Sequence, residues 1–186
     1  MTMFTRASMN LTRVKVPITT RFSFRSISIG STIPAATLFE NSPGNPVDIA
    51  QEVSEGKSVI IGVPGAFSPA CSASHIPGYL KNLRGFNDKG YDKFFIVAVN
   101  DAFVTKAWGD SLLTSVAGAQ VKFLADPAGE FTKELDLSFD ATKFFGNERS
   151  KRYALLVEDG KVTKTFVEPD NTSVDVSEAA KVLEEA

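Results

Sequence analysis

The stretch VPGAFSPACSASHIPG, residues 63–78, holds the only cysteine and the only histidine of 186 residues. One cysteine excludes an internal disulfide, and one Cys with one His falls short of the roughly four ligands that a structural zinc site needs. What remains is the chemistry of a single thiol, which acts as a nucleophile in its thiolate form. Ser68 places a hydroxyl three residues before Cys71, Pro64 and Pro69 stiffen the approach, and Gly65 and Ala66 keep it narrow. His75 follows four residues after Cys71 and could share a helix face with it, as a base beside a nucleophile. Pro77 distorts the turn that would align the pair, so His75 reads as a structural residue with a local hydrogen bond.

The thiol needs an element to position it. SVIIGV (58–63) is a short β-branched run that suits a buried strand, and FFIVAV (94–99) and VKFLA (121–125) repeat the pattern. Between the first two, Ile76, Leu80, Leu83 and Phe86 recur at helical spacing over residues 71–89, with Gly90 as a stop. Cys71 then falls in the first turn of a helix at the carboxyl edge of a sheet, where α/β folds place their chemistry. Unpaired N–H groups and the positive end of the helix dipole stabilise a thiolate there. Position alone leaves open the other reading, a small buried hydrophobic side chain.

Residues 102–113 read as a helix capped by Asp101, and 128–135 as a short helix after Asp126-Pro127. RYALLV and KVTKTFV flank EDG, a hairpin signal, and VSEAAKVLEEA closes the chain as a helix. The order predicts an α/β thioredoxin-like fold, a central mixed sheet flanked by helices on both faces.

A composition that is 43% apolar supports one sizeable core. The net charge of −2 hides an asymmetry, because Arg6, Arg13, Lys15, Arg21 and Arg25 precede the first acidic residue, Glu40. With those five set aside from 20 basic residues against 22 acidic ones, residues 31–186 carry −7. Such a body has no basic patch for nucleic acid or anionic lipid, and no apolar run approaches the roughly 20 residues that cross a bilayer. The reading is a soluble protein with neither nucleic-acid nor membrane partners.

The first 30 residues are rich in Arg, Ser and Thr, lack acids, and interleave apolar residues with the charges, which is the composition of a mitochondrial presequence. The arginines interrupt any run long enough for a secretory signal. The expectation is a presequence over 1–30, cleaved between Phe22 and Gly30, that delivers a single domain, 31–186, to the mitochondrial matrix.

PGAFSPAC resembles the signature of the peroxiredoxins, with Pro64, Ser68 and Cys71 at the family's Pro, Thr or Ser, and Cys. SHIPGYL, VNDAFVTKAWG, FLADPAGEFTKELDL, FFGNERSKRYALLVEDGKV and VEPDNT extend the resemblance to the type II, peroxiredoxin-5-like branch, from about Ile33 to the C-terminus. The resemblance implies a thiol peroxidase that reduces hydrogen peroxide and alkyl hydroperoxides. It implies that Cys71 attacks the peroxide, that the Ser68 hydroxyl binds it, that Pro64 shields the thiolate, and that Arg152 is the active-site arginine. Before the resemblance, Arg149 and Lys151 compete equally with Arg152. The N–H groups of Ala70 and Cys71 are candidate donors to the leaving oxygen.

The resemblance implies no metal and no organic cofactor, and by analogy a homodimer. In the animal type a resolving cysteine follows the VEPD match. Here the aligned residue is Val176, so a one-Cys enzyme is expected, reduced by an external thiol such as glutathione with glutaredoxin or thioredoxin. The competing function is a redox-sensing or chaperone-type binding protein on the same fold. A general thiol transferase fits less well, because Ser68 stands where a Cys-x-x-Cys pair would have its other cysteine.

Overall fold

The computed structural model describes residues 26–113 and 120–186. The elements run β1 (Thr37–Glu40), β2 (Pro46–Asp48), α1 (Ile49–Glu52), β3 (Lys57–Val63), α2 (Ile76–Asp88), β4 (Tyr91–Ala98), α3 (Ala102–Leu112), β5 (Gln120–Ala125), α4 (Glu130–Glu134), β6 (Ser138–Asp140), α5 (Thr142–Phe145), β7 (Glu148–Ser150), β8 (Tyr153–Glu158), β9 (Lys161–Val167) and α6 (Ala179–Glu185). A π-helical turn, Cys71–His75, leads into α2.

Seven strands form one sheet in the order β2-β1-β5-β4-β3-β8-β9, and β6 and β7 make a separate two-stranded ribbon. β3, β4 and β5 are parallel, and the other pairings are antiparallel. The mixed sheet of a thioredoxin-like α/β fold is therefore present as expected.

Alternation along β3 explains the two layers. Val59, Ile61 and Val63 face a core shared with Tyr79, Leu83 and Phe86 of α2, Trp108 of α3 and Val182 of α6. Ile60 faces the opposite core, with Ile49 of α1, Phe131 of α4 and Leu155 of β8. A strand buried on both faces reads as a continuous apolar run, which is why SVIIGV shows no alternation in sequence.

Asp101 caps α3, accepting from the N–H groups of Phe103 and Val104 at 3.0 Å each. Asp159 and Gly160 both take positive φ, 47° and 74°, the geometry that a two-residue hairpin between β8 and β9 requires. Strand β4 begins at Tyr91 and ends at Ala98, so it extends further back than the FFIVAV run. The helix expected over 128–135 narrows to five residues.

Residues 1–25 of the basic segment lie outside the described residues. Its last residues touch the body: the Ile27 N–H donates to Leu135 O at 3.1 Å and the Gly30 N–H to Val162 O at 2.7 Å, and just beyond it Thr32 bridges to Lys161. Among the described residues no helix is long and apolar enough to cross a membrane.

Candidate active site

Strand β3 ends at Val63, and the buried Pro64 turns the chain out of the sheet. The Ala66 N–H donates to Asn100 Oδ1 at 3.0 Å, which ties the turn to the end of β4. Phe67 adopts φ of 59° and stands 55% exposed, an aromatic in the left-handed region that favours glycine. The turn then hands over to a helix.

The Ser72 N–H donates to Ser68 O at 3.0 Å, so helical bonding starts from Ser68. Pro69 follows it, where a missing N–H costs no intrahelical bond. The N–H groups of Ala70 and Cys71 lie in the positions whose donors an α-helix leaves unpaired. Cys71 therefore stands at a helix N-terminus beneath unpaired donors.

Cys71 is fully buried. Two side chains donate to its sulfur: Ser68 Oγ at 2.8 Å and Arg152 Nη1 at 3.3 Å. A hydroxyl and a guanidinium thus both aim donors at this one sulfur. Trp108 Nε1 donates to Ser72 Oγ at 3.0 Å, which pins the residue after the sulfur to α3.

Arg152 is 2% exposed. It sits one residue before β8, and the chain around it clamps both its backbone and its side chain. Its N–H donates to Asn171 O at 2.8 Å, its carbonyl accepts from the Glu168 N–H at 3.0 Å, and Nε donates to Thr172 O at 3.0 Å. Gly62 makes room for the neighbouring residue, because a Cβ there would lie 2.0 Å from the ring of Tyr153.

The two rival cations are elsewhere. Arg149 donates from Nη1 to Val99 O and from Nε to Asn147 Oδ1, both at 2.7 Å, and stacks over Phe145 at 4.8 Å. Lys151 is half-buried on the neighbouring loop, and its N–H donates to Leu137 O.

His75 makes no hydrogen bond to the sulfur. Its Nε2 donates to Ser177 O at 3.1 Å, a partner 102 positions away, so the bond is long-range instead of local. Tyr79 of α2 donates to the same carbonyl at 2.7 Å and packs edge-on against the imidazole. Burial, reinforced by the Arg152 charge, lowers the His75 pKa to about 3, so the ring is neutral at working pH.

Sequence reasoning passed over the loop that joins these parts. Glu168 is 1% exposed and accepts from the N–H groups of Asp175 and Ser177 and from the Ser177 hydroxyl. VEPD marked the segment, yet nothing local in those four letters signals a buried carboxylate.

Residues 28–183 match the family described as Redoxin. The chain is 51% identical to peroxisomal membrane associated protein 20 of Schizosaccharomyces pombe over 84% of this chain and 97% of that one. It is 39% identical to peroxiredoxin-2B of Arabidopsis thaliana over 76% and 88%. Among solved structures it resembles reduced Prx3 of Vibrio vulnificus in complex with hydrogen peroxide, with a TM-score of 0.77 and 38% identity over 86% of this chain and 95% of that one.

The mitochondrial destination expected from the basic N-terminal segment is corrected by the fission-yeast relative, whose name places it at the peroxisome. Composition alone could not decide this, because a basic, hydroxyl-rich arm is one composition with more than one use. With a buried helix-start thiol between a hydroxyl and a guanidinium, and relatives that match nearly end to end, the chain belongs to the redoxin family as a peroxiredoxin, a thiol-dependent peroxidase.

Proposed function

We propose that Cys71 is the peroxidatic nucleophile and that it reduces hydrogen peroxide and alkyl hydroperoxides. The observation that carries this reading is the pair of donors on one buried sulfur, Ser68 Oγ and Arg152 Nη1. The thiolate attacks the nearer peroxide oxygen. The S–O bond forms as the O–O bond breaks, sulfur is oxidised by two electrons and keeps the proton of the attacked oxygen, and hydroxide or an alkoxide leaves, taking a proton from solvent to become water or an alcohol. The negative charge moves from sulfur to the departing oxygen, so the Ser68 hydroxyl, the Arg152 guanidinium and the N–H groups of Ala70 and Cys71 stabilise both ends of the transfer. Pro64 keeps water from the sulfur.

The product is a sulfenic acid, which a second thiol must meet before more peroxide takes it to the sulfinic acid. Cys71 is the only cysteine and Val176 occupies the position of the resolving residue, so the second thiol comes from outside. One glutathione condenses with the sulfenic acid, releasing water and leaving a mixed disulfide. A second glutathione, glutaredoxin or thioredoxin restores the thiol. The same relative's name supports a peroxisome-associated setting, and the exposed Phe67 and Phe144, one in the site's own turn and one in α5 beside it, support a homodimer through this edge.

The test is mass spectrometry after one equivalent of peroxide with excess glutathione, alongside turnover with glutathione, glutaredoxin and thioredoxin systems. A glutathione adduct on Cys71 and turnover with glutathione are expected. A sulfenic acid that persists unconjugated, with turnover only through thioredoxin, would replace glutathione as the resolving thiol. Oxidation of Cys71 with no turnover under any reductant would favour the redox-sensing alternative.

A further inference from the structure

Glu168 is a buried carboxylate with no basic partner among the described residues, and the mechanism gives it no task. Its Oε1 accepts from Asp175 N at 2.7 Å, Ser177 N at 2.9 Å and Ser177 Oγ at 2.7 Å, and its Oε2 accepts from Ser173 Oγ at 3.2 Å. Burial alone would raise its pKa. The N–H groups of Asp175 and Ser177 and the two serine hydroxyls outweigh burial and hold it below its ordinary value. The carboxylate is thus the centre around which residues 168–177 fold.

That loop touches both halves of the site. At one end, Asn171 O and Thr172 O accept from Arg152 N and Nε, and the Glu168 N–H donates to Arg152 O. At the other, Ser177 O accepts from His75 Nε2 and from the Tyr79 hydroxyl, on the helical segment that begins at Cys71. Cys71 follows β3 and Arg152 precedes β8, which are neighbours in the sheet, and the 168–177 loop is a second link between them, made through side chains.

We propose that Glu168 is a positioning residue for peroxide reduction: its carboxylate folds the 168–177 loop that holds the Arg152 guanidinium on the Cys71 sulfur. This rests on the reading of Arg152 as the cation of the peroxide site. Glu168 touches neither sulfur nor peroxide and acts through Thr172 O and Ser177 O.

The experiment measures the second-order rate constant for hydrogen peroxide by stopped flow, in the full chain, for Glu168→Ala, Glu168→Gln, Arg152→Ala and the double variant Arg152→Ala/Glu168→Ala. Thermal unfolding is followed in parallel. Glu168→Ala should slow the reaction roughly ten- to a hundredfold, the scale on which misplacing a reacting or orienting group acts. Glu168→Gln keeps an oxygen for Asp175 and Ser177 and should recover most of that loss. In the Arg152→Ala background, removing Glu168 should change the rate less than about twofold while lowering the unfolding temperature as it does alone, since coupled positions are non-additive.

An unchanged rate in Glu168→Ala, or an equal loss with and without Arg152, overturns the proposal. If Arg152→Ala itself leaves the rate unchanged, the peroxide-site reading of Arg152 fails instead. Should Glu168→Ala not fold, Ser177→Ala removes one hydroxyl from the carboxylate and carries the same comparison: a rate loss only where Arg152 is present supports the proposal, and equal rates or equal losses in both backgrounds overturn it.

Discussion

Arg152 and Cys71 are 81 positions apart in the chain, yet Arg152 Nη1 lies 3.3 Å from Cys71 Sγ. Arg152→Ala should therefore lower the second-order rate with peroxide by at least about a hundredfold, the scale of losing one transition-state donor. Arg149→Ala, which removes a guanidinium bonded to Val99 O and Asn147, should leave the chemical step near the wild-type rate. Stopped-flow comparison of the two variants decides between them, and the reverse order of losses would move the assignment by three positions.

Ser68 Oγ donates to the sulfur at 2.8 Å, and in the proposed mechanism its hydroxyl, not its volume, acts on the peroxide. Ser68→Thr should keep activity and Ser68→Val should lose about ten- to a hundredfold, the range for a hydrogen bond to a charged partner. Equal rates for the Thr and Val variants would remove Ser68 from the chemistry.

Cys71→Ser should abolish peroxide turnover with the fold kept, because serine replaces a small, fully buried side chain with one of similar shape. Circular dichroism and a coupled peroxidase assay on the same preparation check both halves. Turnover in that variant would place the reacting group elsewhere.

Stability should fall as the solution is made acidic. Folded His75 binds its proton only near pH 3, whereas in the unfolded chain it titrates near 6.5. Between those values the unfolded chain holds more protons, so stability rises with pH and is fully present above about 6.5. Urea unfolding should show a slope from this group of about 0.7 kcal/mol per pH unit near pH 6.5, rising toward about 1.4 near pH 5, one proton's linkage. His75→Asn should flatten that slope whatever it does to the overall stability. An unchanged slope would mean that the imidazole is not the buried neutral group described.

Gly62→Ala should be severe, because its Cβ would meet the Tyr153 ring at 2.0 Å, Tyr153 is fully buried, and Arg152 is the next residue back. A cost of about 1–3 kcal/mol or more is expected from overpacking. Gly44→Ala meets only Ser42 Oγ at 3.7 Å and serves as the tolerant control in thermal unfolding.

How much of this was legible follows from how local each signal is. The three parallel strands announced themselves as β-branched runs, and α3 did so through Asp101, because each is a property of a few adjacent letters. Strands β1, β2, β6 and β7 are only three or four residues long, too short for periodicity to rise above the loops around them. The π-helical register at Cys71–His75 leaves no mark in composition, though a helix over 71–89 was readable from the spacing of Ile76, Leu80, Leu83 and Phe86.

The site divides the same way. Cys71 and Ser68 sit three residues apart and could be read together from the strand-to-helix turn. Arg152 could not be chosen over Arg149 and Lys151 by any local rule, since its burial depends on the 168–177 loop folding across it. Family resemblance pointed to Arg152, and in the fold its neighbour Tyr153 fills the space that Gly62 leaves open. Glu168 was invisible for the same reason in stronger form, because a glutamate beside a proline and an aspartate reads as an exposed turn until its partners are known.

The bond from Trp108 Nε1 to Ser72 Oγ has an optical consequence. This chain has one tryptophan, fully buried, with its polar end fixed to the residue that follows the reacting sulfur. Any change of state at Cys71 that shifts the helix start alters the surroundings of a single indole, which excitation beyond the tyrosine band reads apart from Tyr79, Tyr91 and Tyr153. Emission recorded after mixing with peroxide therefore tests, without a label, whether a change at Cys71 is transmitted through Ser72 to that indole.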